Sequence, residues 1–499
     1  MPRVELLLGG PGTGKTAALL DLIEEAISTG VEPDRIAFAS FTRAATKEGT
    51  DRAVRRFELD ESDLPHFRTL HSLAFRTGRF RRAGVLEKEK LRAFSEWVGE
   101  EVTGSRAETM EDEGGSTTRG DRMLALVNFA RATGVELSAA WAATEIARDV
   151  PWFDVLHFRD SLEAYKREHG LVDYADMLSA YLSEGAPVDV DLAILDEAQD
   201  LSTVQWEVAR KAFGDCPRIV IAGDDDQAIN VWSGADVREF LAVPADERLD
   251  LEQSHRVPRA VHGVAVGLLG RISQRYAKPW APRSGSAGRL AWVGEPEDAP
   301  LTEPGTWMLL ARNNRSLPRL RRVCRTAGVS FICKNRPGVR PEDALAITAW
   351  ARLRRGEALT YEEALAVAGR GGFAVELAHR QTYTLQDLNL PPAAAAREWW
   401  EVLRRIPPED REYYKAIERR GGSVSDRPTV TVSTVHGVKG QEADNVLLLT
   451  DVTARSDPDD ARRSAWESDE EHRIFFVGVT RAREALYLVE PQGQFGYRI

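Results

Sequence analysis

The stretch Gly9-Gly10-Pro11-Gly12-Thr13-Gly14-Lys15-Thr16 constrains this chain more than any other. It sits between the apolar run Val4 to Leu8 and a helix-forming segment from Ala17 to Ser28. A GxxxxGKT spacing between a buried strand and a helix start is the pattern of a phosphate-binding loop. Glycines let the backbone wrap an anion closely, and the N–H groups of the loop and the first helical turn point at it. Gly10, Gly12, Thr13 and Gly14 are therefore expected to form the cradle. Lys15 should reach the β- and γ-phosphates, and the Thr16 hydroxyl should be a ligand of Mg2+. The chain is expected to bind a nucleoside triphosphate.

The 499 residues, 43% apolar and 29% charged, are enough for several ordinary globular cores. No apolar run reaches the ~18 residues of a membrane span, and no charged-then-apolar leader opens the sequence, so neither membrane insertion nor export is expected. The expected compartment is the cytoplasm. Cys216, Cys324 and Cys333 lack CxxC spacing and lie among apolar neighbours, which points to core residues and away from a disulfide framework or a zinc site. The formal charge of −12 excludes a uniformly basic surface but leaves room for a local basic groove.

After the loop, Arg35 to Ala39 reads as a second buried strand, followed by Ser40-Phe41-Thr42-Arg43 and a helix from Ala44 to Arg56. Repetition of strand, turn and helix marks an α/β fold. Phe67 to Ser72 reads as a short strand running into a polar turn that presents Thr69 and His71 at the sheet rim. From about Gly78 to Gly170 amphipathic helices (Glu87 to Glu101, Arg122 to Ala132, Phe158 to Arg167) surround a polar stretch, Gly104 to Gly120, read as a mobile loop in a helical insertion.

The α/β pattern returns at Val190 to Asp200, an apolar strand closed by Asp196 and Glu197. Following a phosphate loop, Asp196 is placed to hold Mg2+ and Glu197 to activate water against the γ-phosphate. Arg218 to Ala222 is a further strand, ending in Gly223-Asp224-Asp225-Asp226-Gln227. The Gln227 amide can donate to phosphate while accepting from water. Trp232, five residues on, offers a stacking surface for a nucleic-acid base.

Leu249 to Arg256 opens a second region, with strands at Trp307 to Arg312, Val430 to Val435 and Val446 to Thr450. Between them, from about Pro337 to Gly422, helices are expected at Pro341 to Arg355, Tyr361 to Ala368 and Ala393 to Ile406. The last patterned stretch, Arg473 to Arg483, leads to a strand at Ala485 to Val489. Arg256 and Arg481 are candidates to stabilise charge on a transferring phosphoryl group.

In order, GGPGTGKT (9–16), FASFTRAA (38–45), RTLHS (68–72), LDEAQD (195–200), GDDDQAINVWSGA (223–235), LEQSHR (251–256), STVHGVKGQE (433–442) and FFVGVTRA (475–482) resemble the motifs of UvrD/Rep-type superfamily 1 DNA helicases. The resemblance spans nearly the whole chain. It implies two RecA-like P-loop NTPase domains, parallel sheets flanked by helices, each carrying a mainly helical insertion. The matching divisions are 1–78 with 171–250 for the first sheet domain, 79–170 for its insertion, 251–336 with 423–499 for the second, and 337–422 for a short second insertion. It further implies that Lys15, Thr16, Asp196, Glu197 and Gln227 act from the first sheet domain on ATP and Mg2+. Arg256 and Arg481 would act from the second, with Glu442 near the nucleotide sugar. Single-stranded DNA and single-strand/duplex junctions would be the partners, touched by Phe41, Thr42, Arg43, Thr69, His71, Trp232, Thr434 and His436. Proteins of replication or repair are further possible partners, and a monomer is expected.

The form of Thr434 to Glu442 is similar to the subgroup that moves 3′ to 5′, so translocation in that direction with duplex unwinding is expected. The alternatives are a translocase that does not separate strands and an ATP-gated DNA-binding remodelling factor. The sequence departs from the family pattern in several places. Only eight residues precede Gly9, and no counterpart of the glutamine that reads adenine upstream of the loop is expected among them. Ala17 stands where Arg is common, leaving His255, in place of the usual aromatic, as the ring expected to stack on the base. Asn230 and Ser233 stand where Tyr and Arg are common around Trp232. The second insertion is shorter than in larger relatives.

Overall fold

The computed structural model describes residues 2–78, 80–104, 118–144, 146–375, 377, 382–454, 456–460 and 463–499. They form two compact units, one of Met1–Arg289 with Thr453–Glu484 and Ile499, the other of Leu290–Val452 with Ala485–Arg498. Among the described residues no helix is long and apolar enough to cross a membrane.

The first unit is built on β1 (Arg3–Gly9), β2 (Ile36–Ser40), β3 (Leu192–Asp196), β4 (Arg218–Gly223) and β5 (Glu247–Leu251). All five pair in parallel, in the order β2-β3-β4-β1-β5. Their side chains divide by alternation. Leu6, Leu8, Ala37, Ala39, Ala193, Leu195 and Ile221 enter one core, while Leu7, Ile36, Phe38, Leu192, Ile194, Val220 and Ala222 enter the other. A strand whose two faces are both apolar must be covered twice, and helices do this. Helix Lys15–Ser28 brings Leu19 and Ile23 to one face. Helices Tyr174–Glu184 and Thr203–Phe213 bring Met177 and Trp206 to the other.

Parallel pairing puts all five carboxyl ends on one edge, with Leu8 opposite Gly223 and Ser40 opposite Asp196. That edge is where open parallel sheets bind ligands. Between β2 and β3 the helices Lys88–Val98, Arg119–Thr133 and Trp152–His169 close a separate core around Phe94, Met123, Leu126, Phe158 and Leu162. Most of the polar stretch 104–120, expected as a mobile loop, lies outside the described residues.

The second unit carries most of a seven-stranded sheet, made of β6 (Arg289–Val293), β7 (Trp307–Ala311), β8 (Phe331–Cys333), β9 (Arg336–Pro337), β10 (Val430–Thr434), β11 (Ala443–Leu449) and β12 (Ala482–Val489). The order is β6-β12-β11-β7-β10-β8-β9, with β7 parallel to β10 and β11, and β9 antiparallel to β8. Sheet residues Trp307, Leu309, Val432 and Leu447 share one core with Trp350, Val367, Trp399 and Tyr414 of the helical residues that follow β9.

Two stretches fold differently from the sequence expectation. Phe67 makes only a single bridge to Phe38, and Leu70–Thr77 is a helix because the Thr69 hydroxyl accepts from Ser72 N at 3.2 Å and caps it. Ala393 to Ile406 is a 3₁₀ turn, Pro392–Ala396, and a four-residue helix, Trp399–Val402. The break lets Trp399 bury while its indole N–H donates to Glu418 Oε2 at 2.8 Å.

Phe38 is the tightest aromatic contact of the first sheet: it is 1% exposed and stacked on Phe67 with ring centroids 5.4 Å apart. Phe38→Ala should cost about 3–5 kcal/mol, measured as a lowered urea midpoint by circular dichroism.

Candidate active site

The loop after β1 is shaped by its glycines for two separate reasons. Gly12 and Gly14 have φ of 74° and 84°, the left-handed region, and Gly14 leads directly into helix Lys15–Ser28. Gly10 and Gly12 are also hemmed in. A Cβ at Gly10 would lie 2.7 Å from the Trp280 ring, and one at Gly12 2.4 Å from Arg256 Cβ. The Lys15 ammonium donates to Gly9 O at 2.8 Å and the Thr13 hydroxyl to Gly10 O at 2.9 Å, so the loop's own side chains hold its curve.

Residues 254–256 run alongside. The Ser254 hydroxyl donates to Pro11 O and the His255 N–H to Gly12 O, both at 2.8 Å. The His255 side chain is exposed and its Cδ2 lies 3.9 Å from the Cβ position of Gly14. Arg256 is half-buried against Gly12.

Asp196 ends β3, and burial together with the charge of Glu197 pushes its carboxyl up to about 7, against the pull of Lys15. Glu197 follows in the left-handed region, φ 53°, where a non-glycine residue costs roughly 1–2 kcal/mol. Its N–H donates to Asp196 Oδ1 at 2.9 Å and its Oε2 accepts from Gln199 Nε2 at 2.5 Å, which hold the turn. The two carboxyls, with the Thr16 hydroxyl at the start of the helix, are oxygen donors of the kind that suits Mg2+.

From this pair a line of hydrogen bonds crosses the edge. Gln199 Oε1 accepts from Asp224 N at 3.0 Å, Asp224 Oδ2 accepts from Gln227 Nε2 at 2.6 Å, and Gln227 Oε1 accepts from Arg481 Nη2 at 2.8 Å. Arg481 is 1% exposed and also donates through Nε to Val477 O at 2.9 Å. Arg256 and Arg481, expected from a second sheet domain, belong to the same compact unit as the loop.

The sequence reading missed what surrounds Asp224, Asp225 and Asp226, all buried. Lys278 Nζ pairs with all three at 2.9, 2.6 and 2.7 Å, and Arg275 grips Asp226 through two bonds of 2.7 Å. Arg473 Nε donates to Asp225 O at 2.9 Å and Tyr276 N to Asp225 Oδ2 at 2.8 Å. The signal was the aspartate run itself: three adjacent acids at the end of a buried strand require cations from elsewhere.

Phe41, Thr42 and Arg43 follow β2 on the same edge, with the Thr42 hydroxyl capping helix Arg43–Phe57 by accepting from Ala45 N at 3.1 Å. Thr69 is buried as the cap of Leu70–Thr77, while His71 is half-exposed, its ring edge-on to Tyr174 at 5.6 Å. Trp232 is half-buried in the turn Val231–Ser233. Thr434, His436 and Glu442 belong to the other unit. There Thr434 is buried at the end of β10 and accepts from Gly437 N at 3.3 Å, His436 is half-exposed and Glu442 exposed.

Because the folded pKa of Asp196 is raised, the nucleotide-free protein binds an extra proton between the ordinary carboxylate range and about 7, and its stability falls as pH rises through that window. Asp196→Asn removes the charge that causes the loss. The variant should melt at a higher temperature than the wild type at pH 8 and at nearly the same temperature at pH 5, by differential scanning fluorimetry.

Family models agree with this geometry. That of the UvrD/REP helicase N-terminal domain matches residues 3–247, and that of the UvrD-like helicase C-terminal domain matches residues 415–492. The chain is 24% identical to the YjcD protein of Bacillus subtilis over 55% of its own length and 37% of that protein's. It is 23% identical to the ATP-dependent DNA helicase UvrD2 of Mycobacterium tuberculosis over 97% of its length and 76% of that protein's. It is also 23% identical to the ATP-dependent DNA helicase Rep of Salmonella typhimurium, over 50% of its length and 39% of that protein's. By its two matching domains, the chain belongs to the UvrD/Rep-type superfamily 1 helicases.

Proposed function

We propose that this chain is a DNA-stimulated ATPase that translocates 3′ to 5′ on single-stranded DNA and unwinds duplex. The observation that carries the reading is the hydrogen-bonded line from Glu197 through Gln199, Asp224 and Gln227 to Arg481. It joins a candidate base to a candidate charge-stabilising arginine at the edge that bears the phosphate loop.

In this reading the cradle of Gly10, Gly12, Thr13 and Gly14 binds the phosphates through backbone N–H groups, and Lys15 exchanges its bond to Gly9 O for the β- and γ-phosphates. Thr16 and Asp196 would hold Mg2+, which would supply charge neutralisation at the phosphates. Glu197 takes the proton of the attacking water. The Gln227 amide donates through Nε2 to Asp224 and accepts through Oε1 from Arg481, so its orientation is fixed, and it is the proposed contact of the γ-phosphate. Arg256 and Arg481 offset charge developing on the transferred group. His255, exposed beside Gly14, is the proposed ring for the base.

The proposed roles in the second unit are sugar contact for Glu442 and DNA contact for Thr434 and His436. Phe41, Thr42, Arg43, Thr69, His71 and Trp232 are the proposed DNA contacts of the first, with stacking on Trp232 and salt-dependent phosphate contacts. The proposed division keeps 1–78 with 171–250 and 251–336 with 423–499 as RecA-like domains, and 79–170 and 337–422 as insertions.

Lys15→Ala should abolish ATP turnover and keep nucleotide-free DNA binding. Glu197→Gln should lower turnover by about 10²–10⁴-fold while ATP binding persists; wild-type turnover in either variant removes the assignment. Unwinding of matched duplexes should require a 3′ single-stranded tail. Opening of only the 5′-tailed duplex overturns the polarity, and movement without strand displacement leaves a translocase.

A further inference from the structure

The aspartates after β4 form a charge cluster of which the mechanism above uses only Asp224. One carboxylate oxygen of each lies within 4.8 Å of the other two, and the three residues are 0%, 0% and 1% exposed. Three acids at that spacing cannot all ionise in a dry interior without cations on the spot. Lys278 supplies the central one. Its side chain is 2% exposed, and its ammonium lies 2.6–2.9 Å from one oxygen of each aspartate.

An ammonium has three N–H donors and no acceptor. With three carboxylates as partners Lys278 has no donor left for a phosphate, so it cannot be a ligand of nucleotide. It also fills the space in which the three carboxylates could otherwise gather a metal ion. Its effect must pass through the acids it holds. Arg275 and Tyr276 hold Asp226 and Asp225, but of the three only Asp224 also bonds the Gln227 amide and, through its own N–H, Gln199 behind Glu197.

We propose that Lys278 is a positioning residue for nucleotide hydrolysis: its ammonium locks Asp224 in place, and Asp224 in turn sets the Gln227 amide, with Nε2 held and Oε1 turned to Arg481. Without the ammonium, Asp224 faces Asp225 and Asp226 with the charge of Lys15 left to offset them, and repulsion turns it away from Gln227. The amide is then free to rotate, and near-attack geometry is lost rather than nucleotide affinity. The inference rests on the proposed role of Gln227 at the γ-phosphate, and the test separates the two.

DNA-stimulated ATP turnover and the Kd of a fluorescent non-hydrolysable ATP analogue are measured for the full chain and for Lys278→Met, Lys278→Arg, Gln227→Ala and the Lys278→Met/Gln227→Ala double variant. Lys278→Met should lower kcat by about 10–100-fold with the analogue's Kd within about threefold. Lys278→Arg should recover part of that loss. The double variant should be no slower than Gln227→Ala, because both substitutions remove one interaction. If Lys278→Met does not fold, Lys278→Met/Asp225→Asn removes one negative charge with the positive one and should fold, still with low kcat. Wild-type kcat in the folded Lys278 variant, or a double variant whose losses multiply, overturns the inference while leaving Gln227 in its role. Wild-type turnover in Gln227→Ala overturns both.

Discussion

The parallel pairing of β1 with β4, Leu8 opposite Gly223, is the constraint on which the rest of this site depends. It sets the exit of the phosphate loop beside the exit of the aspartate run, although more than two hundred residues separate them in the chain. Parallel strands cannot be joined by tight turns, so each connection must cross a face of the sheet. The long crossover between β2 and β3 has room for an entire helical layer with its own core. The candidate catalytic side chains are then gathered by the sheet's carboxyl edge.

The segment from Ser273 to Ala281 is the second organiser. Arg275, Tyr276 and Lys278 clasp the aspartates, Trp280 lies on Gly10, and Ala281 O accepts from Ser254 N at 2.9 Å. In fewer than ten residues it touches the loop, the aspartate turn and the run that carries His255 and Arg256. The Trp280 ring is itself held by His262 and Phe476, with centroids at 4.5 and 5.7 Å.

Four strands of the first sheet were legible because each is short, largely apolar and closed by residues with obvious chemistry, such as Gly9 before the loop, Asp196 and Glu197, and Gly223 before the aspartates. The strand β5, polar and largely exposed, was not, and Leu249 to Arg256 read as the opening of a second region. What the sequence hid has physical reasons. Lys278 and Arg275 lie about fifty residues beyond the acids they neutralise, in a stretch without periodicity, and an isolated cation in sequence looks like surface. Thr69 was seen as a rim residue but not as a cap, since a short apolar stretch before a polar one fits a strand end and a helix start equally well. The run 393–406 is alanine-rich and helix-favouring, yet burying Trp399 outweighs that weak local preference. That Arg481 shares a compact unit with the loop is a matter of chain return, through 453–484, which no local pattern encodes, whereas Arg256 lies in the continuous stretch Met1–Arg289 that holds the loop.

The bond from His255 N to Gly12 O has a consequence for how the loop moves. Neither group belongs to a helix or a strand ladder, so this amide is shielded from solvent only while residues 254–256 stay seated on the loop. Its hydrogen exchange therefore times the unseating of that run, separately from the opening of the sheet beneath. The phosphate loop thus carries its own clock: a single backbone proton whose lifetime measures how often the cradle comes undone while the protein around it remains folded.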